Sequence, residues 1–153
     1  MRKLDLKDSI GTLIFVTSKA MERAAEYEMK KKLGLTSSRW KIILALNLFS
    51  GISQKELAEK IYIDASTIVP IIDKMERGRL VERKPDPKDR RNNRIFLTKK
   101  SESIVDPIIE IIIELRKKIY KGISQGEQEL LRTMLKKIID NADNVAKKTK
   151  NPG

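Results

Sequence analysis

Residues 86–98, DPKDRRNNRIFLT, decide the reading of this chain. Two Asp-containing turn signals and three arginines, Arg90, Arg91 and Arg94, precede the alternation Arg94, Ile95, Phe96, Leu97, Thr98. Asp and Asn side chains fold back onto the backbone two residues on, and Pro presets φ. A polar excursion of this composition beside an alternating run therefore reads as a β-hairpin with a basic tip. Residues 80–84 supply its first strand, 85–93 its turn and tip, and 94–98 its return strand. Between positions 81 and 100 eight Lys or Arg stand against three Asp or Glu, a net of +5 out of +12 for the whole chain. Charge is densest at the hairpin.

Immediately upstream lie two short helical patterns. Residues 64–77 carry Ile68, Ile71, Ile72 and Met75 at the i, i+3, i+4, i+7 spacing of one buried helix face, with Asp64 as N-cap and Gly78 as the stop. The opposite face presents Ser66, Thr67, Pro70, Asp73, Lys74 and Arg77. Before it, Ser53 followed three residues later by Glu56 is a capping box, opening a short helix with Gln54, Leu57, Ala58 and Ile61 inward and Tyr62 and Ile63 in the turn. Two short helices joined by a tight turn, the second polar and basic outside, form a helix-turn-helix pattern. With the hairpin attached it becomes a winged one. The expected fold is mainly α, a winged helix-turn-helix core flanked by long terminal helices.

Those flanking helices are strongly apolar. Residues 4–32 place Ile10, Leu13, Ile14, Thr17, Met21 and Ala24 on one stripe and Phe15, Val16 and Ala20 on a second, and Gly34 ends the helix. Residues 36–49 hold Trp40, Ile43, Leu44, Asn47 and Leu48 on one side and Ile42, Leu46 and Phe49 on another, and are expected to be the buried centre. A fifth helix from Ser101 carries Ile104, Ile108, Ile111, Ile112, Leu115 and Ile119, with Pro107 in its early turns. After Gly122, a second capping box (Ser124, Glu127) opens a sixth helix to about Lys147, with Leu131, Met134, Leu135, Ile138, Ala142 and Val145 inward. Helices apolar on two sides need two packing partners, and a second subunit is one way to supply them. The expected divisions are 1–34 and 101–147 for dimerisation, 35–100 for the winged core, and a disordered tail at 148–153.

Composition narrows the function. A chain of 153 residues at +12 and pI near 9.9 suits a polyanionic partner, duplex DNA before an anionic membrane. The absence of Cys and His removes disulfides, thiol sensing of peroxide, Cys/His zinc sites and histidine bases. The apolar run at 10–16 is too short and wrongly flanked for a signal peptide, and Glu110 and Glu114 break the run at 108–115. A cytoplasmic protein without membrane contact follows. Carboxylate pairs Asp86/Asp89 and Glu110/Glu114 lack a nucleophile or metal partner, so no catalytic residue, metal or cofactor is expected.

For DNA, short hydroxyls at a helix start allow close approach to phosphate, where backbone N–H groups already favour an anion; Ser66 and Thr67 fit. Lys74 and Arg77 reach phosphates or guanine edges, and the Pro70 ring suits a thymine methyl. The bland alternative is a solvated helix face. In the hairpin, Arg91 is assigned to the minor groove with Asp89 orienting its guanidinium, and Arg90 and Arg94 to phosphates. The alternative for Arg94 is an exposed edge-strand charge. Ser37, Ser38, Arg39, Ser53 and Gln54 are candidates for further backbone contacts, with helix capping the alternative for the first three.

With these motifs in hand the chain resembles the MarR family of transcriptional regulators over nearly its whole length. The match is most specific in DPKDRRNNRIFLT and the preceding STIVPIIDKMERGRLVER, where Asp89, Arg91, Ile95, Leu97 and Thr98 follow the wing signature. The resemblance implies a homodimer joined through the first, fifth and sixth helices, binding pseudo-palindromic DNA. It further implies a repressor relieved by a small aromatic or lipophilic effector in a pocket to which Trp40, Tyr27 and Tyr62 are candidates, although a core or surface role is commoner for such aromatics. Ser101 stands where the family commonly has glycine, which bears on the start of the fifth helix. Pro70 is unusual in a recognition helix, and Ser66 acting as the cap in place of Asp64 would bring it close to the N-terminus. The competing reading is a winged-helix protein-interaction module without sequence-specific DNA binding, which has no need of the Asp89/Arg91 pair.

Overall fold

The computed structural model describes residues 8–149, and the chain divides into two compact units, Met1–Arg116 and Lys117–Gly153. The first contains helices α1 (Ile10–Leu33), α2 (Ser37–Leu48), α3 (Gln54–Lys60) and α4 (Ala65–Arg77), strands β1 (Ile52–Ser53), β2 (Val81–Pro85) and β3 (Asn93–Leu97), and most of α5 (Lys99–Ile119). The second contains the end of α5 and α6 (Gln125–Thr149). The expected start of α1 at Leu4 and the expected fraying of 150–153 fall outside the described residues. The helix begins at Ile10, where the Ser9 hydroxyl accepts the Thr12 N–H.

The core of the first unit draws on every element around the helix-turn-helix. Met29 of α1, Ile42, Ile43 and Leu46 of α2, Leu57 of α3, Ile68, Ile72 and Met75 of α4, Val81 and Ile95 of the sheet and Ile108 of α5 are fully or almost fully buried. The α4 stripe is thus placed as its spacing predicts. The α2 expectation holds for only half the helix, since Leu48 is 72% exposed and Phe49 42%. A segment apolar on all sides has no periodicity to say which face is covered.

Caps set the boundaries. Gly34 adopts φ 65 and donates its N–H to the Lys30 carbonyl at 3.0 Å, and Leu35 N–H reaches back to the Met29 carbonyl at 3.3 Å, closing α1. Both halves of the Ser53–Glu56 capping box are formed. Asp64 is the N-cap of α4 by backbone, but its side chain makes no cap bond. Pro70 therefore lies inside α4 and deprives the Ser66 carbonyl of a helical donor, which rules out Ser66 as the effective cap. The helix ends at Gly78 as expected, yet Gly78 has φ −77, and the left-handed residue is Arg79 at φ 56. Leu80 N–H closes on the Met75 carbonyl at 2.9 Å, which carries the chain directly into β2.

The sheet has three strands in the order β1–β3–β2, all antiparallel. The hairpin β2–β3 has the expected limits to within one residue, but β1 was not anticipated. It pairs Ile52 with Ile95 and Ser53 with Arg94, so β3 is the central strand. Arg94 consequently does not lie on an edge, and the edge-charge alternative for it is corrected. Thr98 and Ser101 join the sheet to α5. The Thr98 hydroxyl donates to the Arg79 carbonyl at 2.7 Å, and that of the buried Ser101 donates to the Leu80 carbonyl at 2.5 Å. The side chain present where a glycine was the reference is thus hydrogen-bonded, and α5 begins two residues earlier than expected, at Lys99.

Apolar surface remains uncovered in both units. On α1, Ile10, Leu13, Phe15 and Val16 are all more than half exposed. In the second unit the Ser124–Glu127 capping box is present, but Leu131, Met134, Ile138, Ala142 and Val145 are exposed rather than inward. No described residue of α6 is buried.

Candidate nucleic-acid interface

The outward side of α4 follows from the same geometry that buries Ile68, Ile72 and Met75. Ser66, Thr67, Pro70, Lys74 and Arg77 are all exposed. Asp73 and Glu76 are only partly exposed, because both turn toward β2.

At the hairpin tip, carboxylates organise the backbone. Asp86 Oδ1 accepts the Lys88 N–H at 2.8 Å, and the Asp86 N–H reaches the Asn92 carbonyl at 2.9 Å. Asp89 Oδ1 accepts both the N–H and the Nε–H of Arg91, at 3.1 and 3.2 Å, while its other oxygen takes the Asn92 side-chain amide. One carboxylate thus shapes the turn and holds the guanidinium of Arg91, whose side chain is 92% exposed. Arg90 is also exposed.

Arg94 is employed differently from Arg91. Its Nε–H donates to Asp86 Oδ2 and its Nη1–H to the Gly51 carbonyl, both at 2.8 Å, tying the base of the hairpin to the turn before β1. The Lys88 backbone N–H first, and then the Arg94 guanidinium, keep the Asp86 carboxyl below the usual carboxylate range. Ser53 and Gln54 also have internal partners: Ser53 caps α3, and the Gln54 side-chain oxygen accepts two bonds from Arg83. Ser37, Ser38 and Arg39 are half-buried at the start of α2, and the Ser37 hydroxyl donates to Glu22 of α1 at 3.4 Å.

Arg83 escaped the sequence reading. Its backbone N–H and Nη1–H both go to Glu76, at 3.1 and 2.5 Å, and Nη2–H goes to Asp73 at 2.6 Å. Together with the two bonds to Gln54, this side chain links α3, α4 and β2 and is 18% exposed. The signal lay in the alternation of β2. Arg83 is two residues from the buried Val81, hence on the same face, and an arginine directed inward requires acceptors.

The aromatic candidates separate. Trp40 and Tyr62 line a cleft of about 700 Å³ between α1, α2 and the end of α3, together with Lys19, Glu22, Lys41 and Phe49. Tyr27 is not among its lining and instead lies beneath the Lys31 ammonium at 5.6 Å. Within the cleft wall, hydrogen bonds from Lys41 and then Lys19 lower the Glu22 carboxyl to about 2. Among the described residues no cluster of three or more metal-ligating side chains occurs, and no helix is long and apolar enough to cross a membrane.

Comparison with known proteins agrees with this architecture. Residues 35–92 match the model of the MarR family. The HTH-type transcriptional regulator SarZ of Staphylococcus haemolyticus is 30% identical over 138 residues, 89% of this chain and 90% of that protein. The crystal structure of transcriptional regulator PA3341 superposes with TM-score 0.81 at 31% identity, covering 89% of this chain and 99% of that one. The transcriptional repressor CouR, solved bound to a 23-mer DNA duplex, shares the fold at TM-score 0.78 and 19% identity over 91% of this chain and 98% of its own. Near-full-length similarity to a regulator and a winged core coinciding with the family match lead to one assignment: the chain belongs to the MarR family of winged helix-turn-helix transcriptional regulators.

Proposed function

We propose that the protein is a cytoplasmic repressor that binds pseudo-palindromic duplex DNA as a homodimer and has no catalytic activity. In this reading α4 enters the major groove, with Ser66 and Thr67 at phosphate and Pro70, Lys74 and Arg77 toward base edges. Arg91 enters the adjacent minor groove, where the negative potential is concentrated. The observation that carries the reading is the Asp89–Arg91 pair. A carboxylate that shapes the turn also restrains an otherwise solvated guanidinium, lowering the entropy lost on insertion. Arg90 is the phosphate contact of the tip. Arg94 moves from that role to a structural one, since its Nε and Nη1 donors already have partners.

The uncovered apolar residues of α1 and α6 support dimerisation through segments 1–34 and 101–147, flanking a DNA-binding core at 35–100. Two such cores in a two-fold dimer read half-sites roughly 34–36 Å apart. The cleft containing Trp40 and Tyr62 is the candidate effector site, suited by its aromatic and lysine lining to a small aromatic ligand that relieves repression. Tyr27, lying apart, is not included.

Arg91→Ala tests the reading. On a duplex selected by the protein from its source genome, the substitution should weaken binding in a mobility-shift titration by about 30-fold or more, two half-site contacts at roughly 1–3 kcal/mol each being lost from the dimer. Unchanged affinity of a folded variant would remove Arg91 from the groove.

A further inference from the structure

We infer that Arg83 is a positioning residue for DNA binding, acting by neutralising Asp73 and Glu76 of α4 in the saddle between recognition helix and wing. The inference rests on the DNA reading above and deepens it. A helix in a major groove and a wing in the neighbouring minor groove are separated by one phosphodiester backbone, which must cross the surface joining α4 to the β2–β3 hairpin. That surface carries two carboxylates, Asp73 and Glu76, with side chains 43% and 40% exposed. Left alone they would repel the phosphates at close range, and because both side chains are partly solvated, that repulsion would weaken as salt is added.

Arg83 meets both from β2. Its guanidinium spans Asp73 at 2.6 Å and Glu76 at 2.5 Å, and Gln54 of α3 takes the remaining Nε–H at 2.9 Å. The planar fork suits this bridging, which a lysine ammonium reproduces in charge but not in geometry. At 18% exposure Arg83 is too enclosed to be a phosphate ligand in the manner of Arg90 or Arg91. Its effect on DNA passes through the two acids that it masks.

Binding is measured by fluorescence anisotropy on the selected duplex at 50 and 150 mM salt, with folding checked by circular dichroism. Arg83→Met should lower affinity about 30-fold or more at 50 mM, and the deficit should shrink at 150 mM, because unmasked repulsion is screened. Adding Asp73→Asn and Glu76→Gln to Arg83→Met should restore affinity to within about 5-fold of the wild type, although no clamp is rebuilt. A purely structural role predicts the reverse, a deficit independent of salt and no rescue by the amides, and that result overturns the inference. So does a folded Arg83→Met that binds like the wild type. If Arg83→Met does not fold, Arg83→Lys carries the test: retained charge should hold affinity within about 5-fold, and a folded R83K weaker by about 30-fold overturns the proposal. Wild-type protein that fails to bind duplex DNA overturns the DNA reading and this inference together.

Discussion

Gly51→Ala probes how the wing is anchored. Gly51 follows α2 with φ +73, a backbone conformation that costs an L-residue roughly 1–2 kcal/mol. A Cβ there would lie 2.9 Å from Cε1 and 3.0 Å from Cζ of the Phe96 ring. The ring must then shift by several tenths of an ångström against β3, a strain of about 1 kcal/mol. Alanine restricts the unfolded chain and returns about 0.5 kcal/mol. The net loss is about 2 kcal/mol, or roughly 4–8 °C in Tm for a chain of this size. Gly51 also donates to the Ile95 carbonyl at 3.1 Å and accepts from Arg94 at 2.8 Å, so the displacement reaches both β3 and the clamp on Asp86. Gly11→Ala is the control. Gly11 lies in the first turn of α1, and a Cβ there meets nothing within 4 Å, so alanine should stabilise by up to about 1 kcal/mol. Thermal melts at one fixed protein concentration read both. A Gly51→Ala protein as stable as the wild type would refute the reasoning.

Two further substitutions separate charge from backbone effects. Glu22, at about 2 in the folded chain against its ordinary 4.5, contributes stability that is fully present above pH 4.5 and is lost as pH falls through about 2. With the side chain one-third exposed, solvent screening reduces this to about 1 kcal/mol at pH 7. Glu22→Gln should therefore be less stable than the wild type at neutral pH and converge on it between pH 4.5 and 2 in urea melts; a gap constant across that window would contradict the assignment. Pro70→Ala supplies the N–H that the Ser66 carbonyl lacks and should stabilise the protein by roughly 1–2 kcal/mol in the same assay, whereas a loss would mean that the ring packs in a way its exposure does not suggest.

Local physics made much of the winged core legible. The α4 stripe, the Ser53–Glu56 box, the Gly34 stop and the hairpin limits each follow from spacings within a dozen residues, and each is found. The elements that escaped depend on distant partners. Strand β1 is two residues long and exists because Ile52 and Ser53 meet Ile95 and Arg94, more than forty positions away. Its presence makes β3 central, and so changed the role of Arg94. Arg83 was hidden for a related reason, since its acceptors come from two other elements, Gln54 of α3 and Asp73 and Glu76 of α4. The amphipathic stripe of α6 was visible in its periodicity, but what covers such a stripe is not written in the helix that bears it.

The central claim, that α4 and the wing present this protein to a DNA backbone, is tested most directly by salt. Neutralising phosphates releases condensed counterions, so a dimer making roughly 8–12 phosphate contacts on the selected duplex should show log K falling against log salt with a slope of about −7 to −11. A slope near zero over 50–300 mM salt would contradict the account.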